Sequence, residues 1–239
     1  MLDDILTVAW KERKSLFRMQ GNRLRLLMMV FSPFLLATVF PITWGPDWLA
    51  EVPPLLIAVI TSVILVAVMV PESIAGERER HTLETLLASR LPDRAILLGK
   101  LLVPLVAGWG AAVVANLWSA VVINLAHGSG EFLFFTPPIA LGALGLSFLM
   151  ALLTAGAGVF VSLKAATAQE ATQILTFGLL IPAVLLQIVP LIFREQIPQI
   201  LDKIDGPQLL LIVLAVLAVL DVAVLLAAVA RFQRARLIG

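Results

Sequence analysis

Hydrophobic residues fall in six long, nearly unbroken stretches: Leu26–Trp44, Pro53–Pro71, Leu101–Leu125, Pro137–Leu163, Ile174–Phe193 and Leu209–Ala230. A bilayer core of ~30 Å takes roughly 20 helical residues to cross, so each stretch predicts one transmembrane helix. The third and fourth are longer than a crossing needs and are expected to tilt or to project from the membrane. Pro182 and Pro190 interrupt the fifth, which leaves a continuous and a broken or re-entrant form both open. Ahead of the first stretch the period changes. At 100° per residue, Leu2, Ile5, Leu6, Ala9, Trp10, Leu16 and Phe17 share one arc, and Asp4, Thr7, Lys11, Lys14 and Arg18 face away from it. Arg13 falls within the apolar arc and is expected to snorkel toward the headgroups. The predicted fold is all-α, a polytopic membrane protein of a single domain over 1–239. It has six transmembrane helices, an N-terminal amphipathic interfacial helix over 1–22, and a charged elbow over 72–100.

Composition excludes the soluble classes. The chain is 60% hydrophobic and 14% charged, whereas soluble domains run near ~45–50% apolar and about a quarter charged. A net charge of +1 offers no general attraction for nucleic acid. Cysteine is absent, so there is neither a disulfide framework nor a thiolate metal site. The opening Met1-Leu2-Asp3-Asp4 is acidic where a cleavable signal peptide needs positive charge.

Lys and Arg set the orientation. Lys11, Arg13, Lys14, Arg18, Arg23 and Arg25 precede the first stretch, and Arg78, Arg80, Arg90, Arg94 and Lys100 lie between the second and third. Lys164 follows the fourth, and Arg231, Arg234 and Arg236 follow the sixth. These 15 share one side of a six-span topology against Arg194 and Lys203 on the other. By the positive-inside rule both termini are cytoplasmic, and the expected location is the cell's inner (plasma) membrane.

The elbow carries the densest chemistry. Glu77, Glu79 and Glu84 interleave with Arg78 and Arg80, and Leu83, Leu86 and Leu87 form an apolar face at i, i+3, i+4 of a short predicted helix. Pro92 ends it, and a second helix then rises into the third span. Two readings stand side by side: a docking surface for a soluble partner, or a solvated loop satisfied by its own ion pairs. Within the spans, Asp221 sits about midway along the sixth, where a carboxylate costs ~2.5–3.5 kcal/mol even on lenient scales. It is either functional or structural, in the second case protonated or bonded to a neighbouring helix through Asn116, Gln187 or a Ser/Thr hydroxyl. Asn116 and Trp118 of the third span and Asp221 are candidates for a substrate path. The run Ala155-Gly156-Ala157-Gly158 predicts close helix packing.

The run Gly76-Glu77-Arg78-Glu79-Arg80-His81-Thr82-Leu83-Glu84-Thr85-Leu86-Leu87, then Leu91-Pro92, then Ile96-Leu97-Leu98-Gly99-Lys100, resembles the signature of permease subunits of type 2 ABC exporters. Lys11-Glu12 and Arg18 resemble that family's N-terminal stretch. One departure is His81 where the family usually has Gly; placed in a helix, it is expected to matter little. The resemblance implies an ATP-driven exporter subunit forming the substrate pathway as a homodimer. It implies that the elbow contains a coupling helix seated on a separate ABC ATPase subunit. The ATPase-coupling residues would be Glu77, Arg78, Glu79, Arg80, Thr82, Leu83, Glu84, Leu86 and Leu87, with a smaller contact from Lys164 to Gln173. ATP and Mg would belong to that partner.

No catalytic cluster appears in the chain itself. Gly99-Lys100 is followed by Leu101 and lacks a Gly five residues before Gly99, so there is no phosphate-cradling loop. His81 and His127 form no metal-ligand spacing. The chain is therefore expected to be no enzyme and to bind no cofactor or metal. The alternative function, a stand-alone ion- or proton-coupled carrier, would call for inverted repeats and several intramembrane charges; the sequence has no repeat and one acid.

Overall fold

The computed structural model describes residues 1–17, 23–82, 89–128, 130–192 and 206–232, with the backbone alone for 15–17, 23–30 and 186–192. Its helices are α1 (Leu2–Phe17), α2 (Arg23–Trp44), α3 (Pro53–Glu79), α4 (Asp93–His127), α5 (Pro137–Lys164), α6 (Ala168–Ile192) and α7 (Gly206–Arg231). A short 3₁₀ turn, Gly45–Leu49, follows α2. Five of them, α3 to α7, are long and apolar enough to cross a membrane by length and composition. The first predicted span lies within α2, 22 residues long.

Several boundaries differ from those the apolar runs predict. The second stretch does not end at Pro71: α3 continues through it to Glu79, so the elbow's first charges belong to the span helix itself. A proline inside a buried helix is tolerated where neighbouring helices pack around the interrupted turn, and Pro71 and its neighbour Val70 are both buried. The fifth stretch is a continuous helix, α6, in spite of Pro182. At 35 residues, α4 reaches about 52 Å at ~1.5 Å per residue, well beyond the hydrocarbon core. Its first turns are packed into the bundle's core through Ile96, Leu97 and Leu101.

With lipid tails as solvent, burying apolar surface does not by itself drive helices together, and close packing of small residues does. The interior is built that way. Of the spans, α3 is the most enclosed and α7 the least. Gly108 of α4 lies so close to α3 that a Cβ there would meet Val66 Cγ2 at 2.5 Å. Along α5, Gly142, Gly145 and Gly156 sit against Leu210, Leu214 and Val224 of α7 in turn, so these two helices run parallel. Gly158 presses on Val70 of α3, and the fully buried Ala155 joins the same core, as the small-residue run predicted. Large apolar side chains such as Val114, Leu141, Phe177, Val219 and Leu226 are exposed, the arrangement expected of surfaces that face hydrocarbon.

At the end where α2 stops, Trp48 is buried and donates its indole N–H to Ser119 Oγ at 3.4 Å. Asn124 closes the following loop by donating to and accepting from Leu133 at 2.7 and 2.8 Å. The opposite end holds the last turns of α3, α5 and α7, the first turns of α4 and α6, and α1.

Close approach at Gly108 sets an expectation. Gly108→Val should lower unfolding free energy by about 1–3 kcal/mol through overpacking. Gly110→Ala, where an added Cβ meets nothing within 4 Å, should instead raise it by about 0.5–1 kcal/mol, since Ala restricts the unfolded chain. Thermal unfolding of the two variants in one detergent distinguishes them.

Candidate functional site: a charged hub where α3 ends

α1 is amphipathic in a more divided way than a single arc. Val8, Ala9 and Glu12 turn inward and are buried, whereas Leu2, Leu6 and Trp10, at i, i+4, i+8, stay exposed. Lys14 caps the Trp10 ring face at 4.9 Å. The inward face reaches α4 because Gly99 has no side chain: a Cβ there would lie 2.6 Å from Val8 Cβ and 2.9 Å from the Ile5 carbonyl oxygen. Arg13 is exposed beside this row rather than against the protein.

Next to that contact, Lys100 is completely buried. Its ammonium donates to Glu12 Oε1 at 2.8 Å, to Glu77 Oε2 at 2.7 Å and to the Ser73 carbonyl at 2.7 Å. An ammonium has three donors, and all three are used. Glu77 accepts on its second oxygen from Lys11 at 2.7 Å, and Lys11 also stands 3.8 Å from Glu12. Two cations and two carboxylates from α1, α3 and α4 thus close a ring of balanced charge. Such balance is what makes a buried charge tolerable, since an unpaired one costs several kcal/mol.

The residues after Glu77 extend the hub. Arg78 donates to the carbonyls of Leu163, at 3.1 Å, and Ala165, the otherwise unpaired end of α5. Glu79 accepts the backbone N–H of Ala168, the first residue of α6. Successive helical residues point about 100° apart, so Glu77, Arg78 and Glu79 each meet a different neighbour. Arg80 turns back along α3 to Glu72 at 2.9 Å, passing over Gly76, where a Cβ would stand 3.1 Å from both side chains.

α3 then stops at His81, whose φ is +55°. The His81 N–H donates to the Arg78 carbonyl and the Thr82 N–H to the Glu77 carbonyl, at 3.0 and 2.9 Å. This is a Schellman cap, with the left-handed residue one past the helix. His81 therefore does not sit inside a helix, and its expected harmlessness there is corrected. It occupies a conformation glycine adopts freely and other residues adopt at a cost. Thr82 Oγ1 donates to the Glu77 carbonyl as well, at 3.1 Å.

Of the residues singled out in the elbow, Glu77, Arg78, Glu79, Arg80 and Thr82 are thus brought together, with their bonds directed to this chain. Leu83, Glu84, Leu86 and Leu87 lie outside the described residues. Sequence reasoning gave no site role to Lys100, Glu12 or Lys11. The available signal was Lys100 itself, one charge inside the apolar run Ala95–Leu102.

The three candidates for a substrate path are not gathered in one place. Asn116 is buried, donates to the Ala112 carbonyl at 3.0 Å, and lines a cavity of about 120 Å³ with Leu117, Phe134, Phe135 and Ser147. Trp118 is half exposed and donates to Thr38 of α2 at 2.9 Å. Asp221 is buried on α7, and neither of its oxygens has a hydrogen-bond partner among the described residues. Neither Trp118 nor Asp221 lines the cavity beside Asn116.

A family model described as ABC-2 type transporter matches residues 3–202. No curated protein and no solved structure matches the chain. The matched region takes in α1, the whole hub and every helix up to α6.

Three variants test the hub by their stability. Lys100→Met takes from Glu12 and Glu77 the buried cation they share and should cost about 3–5 kcal/mol. Arg80→Ala, which removes only the exposed pair with Glu72, should stay within about 1 kcal/mol. His81→Gly should raise stability by about 1 kcal/mol, since it relieves the left-handed conformation. A loss on His81→Gly in thermal unfolding would contradict the cap.

Proposed function

The chain belongs to the ABC-2 type transporter family, and is thus a transmembrane component of an ABC transporter; from that premise we propose that it is the permease of an ATP-driven exporter. Two copies form the substrate pathway, and each is driven by a separate ATPase subunit docked on its elbow. α2 is the sixth span. The hub end, with both termini, faces the cytoplasm of a cell whose plasma membrane the protein crosses. The basic asymmetry of the chain supports this orientation.

One observation carries the coupling part of the proposal. The helix that leads into residues 83–88 is joined by consecutive side chains to α1, α4, α5 and α6. A push or pull at the elbow is therefore delivered to four elements at once. Leu83, Leu86 and Leu87 supply the apolar anchor of the ATPase contact, and Glu84 supplies orientation. The segment from Lys164 to Gln173, whose turn between α5 and α6 is held by Arg78 at Ala165 and by Glu79 at Ala168, forms the second, smaller contact. Arg78 and Glu79 act in coupling by holding that turn in place.

Interface energy concentrates in central apolar anchors, whereas rim charges contribute less. Leu83→Asp should abolish co-purification of the ATPase subunit, and Glu84→Lys should weaken it moderately. Both variants should retain the permease's own elution volume in size-exclusion chromatography. Full retention of the ATPase by Leu83→Asp would remove the elbow from the mechanism. Purified alone, the chain should hydrolyse no ATP.

A further inference from the structure

The charged ring does more than neutralise its members. Lys100 belongs to α4, yet its three bonds end on α1, through Glu12, and on α3, through Glu77 and the Ser73 carbonyl. Glu77 is tied to α1 a second time, directly by Lys11. With every ammonium donor of Lys100 engaged and its side chain fully buried, α1 cannot slide past the end of α3 without breaking a buried charged bond. A separate contact, of Val8 on Gly99, holds α1 to α4 and not to α3. Its outer row, Leu2, Leu6 and Trp10, is exposed.

The geometry points to Lys100 as a positioning residue: by gripping Glu12 and Glu77 together it makes α1 and the base of the elbow one moving body. Displacement of the elbow then carries α1, with its exposed apolar row, across the membrane surface. This rests on the exporter reading for its driving force, though not for the tie itself. A purely electrostatic role predicts a different outcome, because charge balance can be restored without the tether. Lys100→Met removes one positive charge from the ring; adding Glu12→Gln removes one negative charge, keeps only the half-exposed pair of Lys11 with Glu77, and leaves the buried bond from Lys100 to Glu12 unmade.

The absence of cysteine allows spin labels to be placed without background. Labels at Thr7 of α1 and at His81, both exposed, report the separation of the two elements by pulsed electron resonance in lipid nanodiscs. The otherwise unchanged chain should give one narrow distance, kept when the ATPase subunit and ATP are added. Lys100→Met should broaden it and lower the melting temperature. The double variant Lys100→Met/Glu12→Gln should recover melting temperature without recovering the narrow distance. A narrow distance in Lys100→Met, or its return in the double variant, would overturn the tie and leave charge balance alone. Should Lys100→Met fail to fold, Glu12→Gln by itself serves: broadening is expected, and an unchanged distance refutes the proposal. Should no ATPase subunit bind the unchanged chain, the exporter reading falls, and the permease-only distances still decide the tie.

Discussion

A single ammonium, that of Lys100, has been taken wholly out of water at the end of an otherwise apolar bundle. That is affordable only where opposite charge and a full set of acceptors are already in place. The acceptors come from two other helices, so satisfying one side chain requires that α1, α3 and α4 all be correctly placed. The other features of this end follow in sequence along α3. Once Glu77 is fixed, the helical turn aims Arg78 at the carbonyls that close α5 and Glu79 at the amide that opens α6. The Schellman cap at His81 then ends the helix just past the last of these contacts.

The two halves of the molecule are held by different physics. Within the membrane region, helices meet through missing side chains: Gly108 on α3, and Gly142, Gly145 and Gly156 on α7. Such contacts are short-range and weakly directional. At the hub the contacts are charged and directional, and those of Glu77, Arg78 and Glu79 join elements distant in sequence.

The apolar helices were legible because a bilayer imposes a length of apolar chain that no other environment demands, and five of the six predicted runs are helices long and apolar enough to cross one. The two faces of α1 were legible only by half. Ile5, Ala9 and Trp10 are indistinguishable as apolar residues, yet one side of the arc packs on Gly99 and the other does not. The elbow's charges were conspicuous, and their local interleaving suggested pairs with one another. Arg80 does pair locally, with Glu72; the partners of Glu77, Arg78 and Glu79 are instead Lys11, Lys100 and the backbones of Leu163, Ala165 and Ala168, between 23 and 89 residues away. No local pattern encodes such a pairing.

By itself, then, the sequence determined the solvent in which this chain folds, the all-helical class and the segment where its chemistry is concentrated. These depend on composition and on period, which are properties of neighbouring residues. Only the tertiary structure decided that Glu77, Arg78 and Glu79 are joints between helices, that Lys100 and Glu12 belong with them, and that His81 stands where the backbone turns left-handed. A charge in a low-dielectric interior takes its meaning from whichever opposite charge the fold brings within about 3 Å, and that distance exists only once the helices have packed.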